Sequence, residues 1–139
     1  MIKTVGIVGG GTMGMGIAQT LAQRGFPVTI CDLDLNILQD NMRQTSQKLT
    51  KLVERQKITS EQAKRTIQLI NLGASINDIA DSDLIIEAIF EDITLKKDLF
   101  SKLDGLCPAN TIIATNTSVL SPTEIGSATN RPSKTIGMH

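Results

Sequence analysis

A glycine-rich turn between a short β-branched run and a helical stripe limits this chain more than any other feature. Residues 4–8, Thr-Val-Gly-Ile-Val, read as a buried strand that stops at Gly9, Gly10 and Gly11. Met13, Ile17, Ala18, Leu21 and Ala22 then recur at helical spacing, and Gly25 ends that stripe. Residues 28–31 are a second short apolar run, closed by Asp32-Leu33-Asp34. Strand, turn, helix and strand within about thirty residues make a βαβ unit, which implies parallel strands joined by a right-handed crossover.

The turn itself, Gly9-Gly10-Gly11-Thr12-Met13-Gly14, satisfies G-x-G-x-x-G in the context that makes the pattern informative, after a strand and opening a helix. Gly9 permits the tight turn, Gly11 lets backbone approach a pyrophosphate, and Gly14 lets helix and strand pack closely. The helix N-terminus directs N–H groups and the positive end of its dipole at the phosphates. Asp32 ends the second strand 18 residues after Gly14, where a carboxylate can accept both hydroxyls of an adenosine ribose. A 2′-phosphate there meets like charge, and position 33 is Leu rather than Arg, so NAD is expected over NADP.

The α/β alternation continues beyond this unit. Leu35, Leu38, Met42, Leu49 and Leu52 lay one apolar stripe along a helix over about residues 34–56, with Lys48, Lys51 and Arg55 on a neighbouring face. Thr59 and Gln62 fit a capping box, which predicts a second helix to about residue 68 and hence an inserted helical hairpin. Strands over residues 84–88 and 111–115 flank a helix with Leu95, Leu99, Leu103 and Leu106 as its apolar face and Gly105 near its end as a plausible stop. Ser121-Pro122-Thr123-Glu124 starts a further helix, and residues 135–138 read as a last strand before His139. The expectation is one α/β domain over residues 1–139, a Rossmann-type doubly wound parallel sheet carrying a helical hairpin.

Composition removes other classes. Fourteen Lys and Arg balance fourteen Asp and Glu, and Trp and Tyr are absent, so nucleic acid is an unsuited partner. No apolar stretch is long enough to span a bilayer. The N-terminus reads as a strand rather than a signal peptide, which makes the cytosol the expected compartment. Cys31 and Cys107 are far apart with a single His to join them, so no metal site is expected and reduced thiols fit a cytosolic protein.

In the second half, Ile85-Ile86-Glu87-Ala88-Ile89-Phe90-Glu91-Asp92, Lys96, Ala114-Thr115-Asn116-Thr117-Ser118 and Ile136-Gly137-Met138-His139 resemble the NAD-binding domain of L-3-hydroxyacyl-CoA dehydrogenases, including 3-hydroxybutyryl-CoA dehydrogenases. The glycine loop and the hairpin after Asp32 match as well, and the resemblance covers the whole chain. It implies that Gly9, Gly10, Gly11, Thr12, Met13 and Gly14 hold the pyrophosphate, Asp32 the adenine ribose, and Glu91 and Lys96 the nicotinamide side of NAD. It implies further that Ser118 hydrogen-bonds the reacting oxygen and that His139 is the general base, a role its ordinary pKa suits. In the family the hairpin contributes to acyl-CoA binding, which brings in Lys48 and Arg55. Family members continue past this His through a Glu that orients it and a C-terminal helical domain that forms the dimer, both absent from this chain.

By residue chemistry alone other readings stay open. Lys48, Lys51 and Arg55 also fit a solvated helix face, Glu91 and Lys96 an exposed surface pair, and Ser118 a loop hydroxyl. Relatives acting on sugar acids or on acyl groups of an acyl carrier protein, and an NAD-binding module without catalysis, are the alternatives to acyl-CoA oxidation.

Overall fold

The computed structural model describes residues 1–138; His139 lies outside the described residues. Strands β1 (Val5–Val8), β2 (Val28–Cys31), β3 (Ile70–Gly73), β4 (Leu84–Glu87), β5 (Ile112–Thr115) and β6 (Thr135–Gly137) form one sheet in the order β3-β2-β1-β4-β5-β6. Every neighbouring pair is parallel. The chain starts in the middle, winds outward through β2 and β3, then returns beside β1 and winds the other way. This is the doubly wound order, in which the reversal between β1 and β4 opens a crevice at the carboxyl ends of the strands.

Both faces of the sheet are covered, and the strands alternate accordingly. Val5, Ile7, Val28, Ile30, Leu84, Ile86 and Ala114 point to one side, where they pack with Met15, Ala18 and Ala22 of α1 (Thr12–Gln23) and Leu38 of α2 (Leu35–Glu54). Val8, Cys31, Ile85 and Ile113 point to the other, against Ile79 of a short 3-10 turn before β4, Phe100 and Leu103 of α4 (Ile93–Leu106), and Ile125 of α5 (Pro122–Gly126). No helix among the described residues is long and apolar enough to cross a membrane.

Four sequence expectations are corrected. The helical hairpin, α2 with α3 (Ser60–Leu69), lies in the crossover from β2 to β3, a strand the sequence reading missed. Ile70-Asn71-Leu72-Gly73 follows α3 without a turn residue and is exposed at its middle, as an edge strand can be, so no alternating signal marks it. In α1 the buried residues are Gly14, Met15, Ala18 and Ala22, while Met13 is 63% exposed. Gly14 must face β1, and Met13, one residue or about 100° away round the helix, therefore points out.

In α4 the inward face is Lys96, Phe100 and Leu103; Leu103 belongs to the predicted leucine stripe and Leu99 packs beside it, but Leu95 and Leu106 are exposed. A periodicity count treats Lys as outward-facing and so shifts the expected face toward Leu95 and Leu106. Gly105 lies inside α4 rather than ending it. The helix stops at Cys107, whose backbone is extended ahead of Pro108, a residue that disfavours helical geometry in its predecessor.

Candidate cofactor-binding site

Gly9 follows β1 with φ +114°, a left-handed conformation that glycine adopts without strain. A Cβ on Gly9 would also sit 2.4 Å from the Ala88 carbonyl oxygen at the end of β4. At Gly14 a Cβ would lie 1.7 Å from the Gly9 carbonyl oxygen, so helix and turn touch backbone to backbone there. A Cβ on Gly11, by contrast, would meet nothing within 4 Å, and this position faces open space.

The loop is tied down from the β2 side. Gly10 N–H donates to Asp32 Oδ2 at 2.7 Å, and Asp34 N–H donates to Asp32 Oδ1 at 2.8 Å. Asn41 Nδ2 on α2 donates to the Gly10 carbonyl at 2.7 Å. Asp32 thus stands at the end of β2, half-buried, with one backbone donor on each oxygen and lone pairs to spare for a ligand.

Helix N-termini elsewhere are closed by side chains: Asp34 caps α2, Thr59 and Gln62 form the predicted box on α3, Asp92 caps α4, and Ser121 caps α5. At α1 the cap position is Gly11 and no side-chain oxygen accepts from the first turn. Thr12 and Met13, both exposed, begin this helix at the crevice. Its first-turn N–H groups therefore await an acceptor from outside the chain, and the open space over Gly11 is where an anion can reach them. This arrangement has the charge and the open approach that an anionic phosphate group requires.

Across the crevice lie the loops after β4 and β5. Lys96, predicted from the family beside Glu91, is not half of an exposed pair: its side chain is fully buried and donates to the Glu87 carboxylate and to the Ile89 carbonyl, 3.2 Å away. Glu91 Oε1 stands 3.6 Å from the same ammonium and Glu91 is about half exposed at the mouth of the crevice. Thr117 donates its hydroxyl to Glu91 and accepts from Leu120 N–H at 3.0 Å, which shapes the loop carrying Ser118. Ser118 is exposed on that loop, beside the exposed Val119.

Gly11, Asp32, Glu91 and Ser118 all follow carboxyl ends of neighbouring strands, as expected from the sequence. Lys48 on α2 and Arg55, which caps its C-terminus, are exposed about 20 and 30 Å along the helix from its first residue and are not gathered at the crevice. His139 lies outside the described residues; Met138, before it, donates its N–H to the Thr115 carbonyl at 2.8 Å.

Sequence reasoning missed three participants. Asn41 carries no local signal, because its partner is thirty-one residues away. Glu87 and Thr115 are side by side in register on β4 and β5. The one available sign was a carboxylate at the end of an otherwise apolar strand, Leu84-Ile85-Ile86-Glu87.

Strand order, glycine turn, uncapped helix and acid together define a dinucleotide-binding α/β domain. Comparison with known proteins narrows this. Residues 4–139 match the family described as 3-hydroxyacyl-CoA dehydrogenase, NAD binding domain, and the chain belongs to that family. It is 43% identical over 133 residues to 3-hydroxybutyryl-CoA dehydrogenase of Clostridioides difficile, covering 96% of this chain and 47% of that protein. A probable 3-hydroxybutyryl-CoA dehydrogenase of Bacillus subtilis is 38% identical over 138 residues, 99% of this chain and 48% of that one. The crystal structure of 3-hydroxybutyryl-CoA dehydrogenase from Escherichia coli K12 superimposes with a TM-score of 0.97 at 35% identity, covering 100% of this chain and 29% of its own. The chain thus spans about half the length of these two curated relatives and corresponds to their NAD-binding part.

Proposed function

We propose that this chain is the cofactor-holding part of an NAD-dependent dehydrogenase that interconverts an L-3-hydroxyacyl-CoA and the 3-ketoacyl-CoA. The observation that carries the reading is the uncapped N-terminus of α1 over an open Gly11, set against Asp32 on the next strand. Bound NAD supplies a hydride acceptor. The first turn of α1 holds its pyrophosphate through backbone N–H groups from Gly9 to Gly14, with Thr12 and Met13 flanking it. Asp32 accepts from the adenine ribose while its bond to Gly10 keeps the loop in place. Glu91, backed by Lys96, holds the nicotinamide side.

Ser118 donates to the reacting oxygen of the substrate, and His139 takes the 3-hydroxyl proton as hydride leaves C3. Lys48 and Arg55 offer positive charge to the phosphates of CoA. The substrate reading draws on the acyl-CoA dehydrogenases among the relatives.

Calorimetric titration of the chain with both cofactors is the test. NAD is expected to bind more tightly than NADP, and Asp32→Ala to weaken NAD binding by about tenfold or more through loss of charge-assisted hydrogen bonds. Equal affinity for both cofactors with no effect of Asp32→Ala overturns the assignment. In a protein of dehydrogenase length, Ser118→Ala and His139→Ala should each lower NADH formation from 3-hydroxybutyryl-CoA far more than NAD affinity.

A further inference from the structure

Glu87 is a carboxylate with no solvent exposure at the end of β4. Both of its oxygens are engaged. Oε1 accepts from Thr115 Oγ1 at 2.6 Å, and Oε2 accepts from Ile89 N–H at 2.8 Å and from the Lys96 ammonium. Its main-chain carbonyl accepts from Asn116 N–H at 2.9 Å. One residue thereby fastens the loop after β4, the N-terminal part of α4 and the start of the loop after β5.

Burying such a pair is costly, and apolar residues of the same volume often hold a core equally well. What apolar residues cannot do is direct an ammonium. The Lys96 ammonium, fixed by Glu87 and the Ile89 carbonyl, stands 3.6 Å from Glu91 Oε1, and the other Glu91 oxygen accepts from Thr117. Glu91, about half exposed just beyond the carboxyl end of β4, is the accessible end of this chain of contacts.

We propose that Glu87 is a positioning residue for the nicotinamide half of the cofactor, acting through Lys96 on Glu91 and never touching the ligand itself. This rests on the reading of the crevice as an NAD site. The adenosine half is held from the opposite side of the crevice, by Asp32 and the glycine loop, so the two halves of the ligand report separately on the two sides.

The experiment measures the affinity of the chain for NAD and for ADP-ribose, which keeps the adenosine and pyrophosphate and lacks nicotinamide. Glu87→Gln keeps the shape and removes the charge that orients Lys96. It is expected to weaken NAD binding by about tenfold while leaving ADP-ribose binding within about twofold of the unaltered chain. Equal weakening toward both ligands reduces Glu87 to a structural residue and overturns the proposal, as does no change toward either.

Should Glu87→Gln fail to fold, Glu87→Asp keeps the charge and leaves Lys96 in place but withdraws the carboxylate from the ammonium, and the same selective loss of NAD is expected. In that variant too, equal losses or none overturn the proposal. Failure of the underlying reading looks different: the unaltered chain then binds neither NAD nor ADP-ribose, and the proposal falls with it.

Discussion

Three glycines within six residues do unlike jobs, and a single added methyl separates them. At Gly14 that methyl would land 1.7 Å from the Gly9 carbonyl, so Gly14→Ala must push α1 off β1 and should cost at least ~3 kcal/mol of stability. At Gly11 it meets empty space, so Gly11→Ala should melt within a few degrees of the parent and yet lose NAD binding, because the methyl occupies the path of the pyrophosphate. Thermal melts beside NAD titrations check both. The motif showed all three glycines in sequence, but only the distances reveal which of them protects the fold and which the ligand. Cysteine chemistry is decided at the same scale. Burial, with Asp32 and Asp78 nearby, pushes the Cys31 thiol up to about 11, and burial also raises that of Cys107. Both thiols should resist iodoacetamide at pH 8 in the folded chain and react promptly in denaturant, with mass spectrometry counting the adducts.

At the scale of elements, start signals were legible because a helix cap is a contact between near neighbours. Thr59 and Gln62 close the box on α3, with Gln62 N–H donating to Thr59 Oγ1 at 3.1 Å and Thr59 N–H donating to Gln62 Oε1 at 2.8 Å. Ser121 likewise caps α5 through Glu124 N–H, with Pro122 in the first turn. Thr59→Ala should therefore lower the free energy of unfolding by about 1 kcal/mol, measured by urea titration, with NAD affinity unchanged since α3 opens far from the crevice. Helix faces were less legible. In α1 and α4 the sequence stripe found Ala18, Ala22 and Leu103 but set Met13, Leu95 and Leu106 inward as well, because Gly14 and Lys96 turn inward for reasons that lie on other elements, the Gly9 carbonyl and the Glu87 carboxylate. β3 escaped notice because an edge strand need bury little.

Over the whole molecule, Arg131 holds the β5 side of the sheet together from a loop after α5. Its guanidinium donates to Asp104 Oδ1 at 2.6 Å, to the carbonyls of Asp104 and Cys107 at 3.0 and 3.1 Å, and to those of Pro108 and Thr111 at 2.6 and 3.2 Å. The last turn of α4 and the connection into β5 thus share one clamp. Arg131→Ala should cost about 2 to 4 kcal/mol, since it strands an almost buried carboxylate and several carbonyls. Burial alone would raise the Asp104 pKa, but Asn130 N–H and Arg131 outweigh it and hold it below the ordinary 3.8. Because the folded-state value is the lower one, this contribution is whole above pH 3.8 and fades as pH falls through the folded value. Acid melts should show it: the stability gap between the parent and Asp104→Asn is widest near neutrality and narrows below pH 3.8.

What the amino-acid sequence determined by itself was whatever rests on local chemistry. The glycine turn, the acid after β2, the caps of α3 and α5, and five of the six strands depend on residues close together in the chain or on runs that are apolar throughout. Tertiary structure decided the rest. It placed the hairpin in the crossover to an edge strand, set which faces of α1 and α4 turn inward, and buried Lys96 against Glu87, which Thr115 bonds from the next strand. The physical reason is the same in each case: a buried polar group or a close backbone contact is stable only beside its partner, and here the partners stand on different strands and helices, brought together by the winding of the sheet.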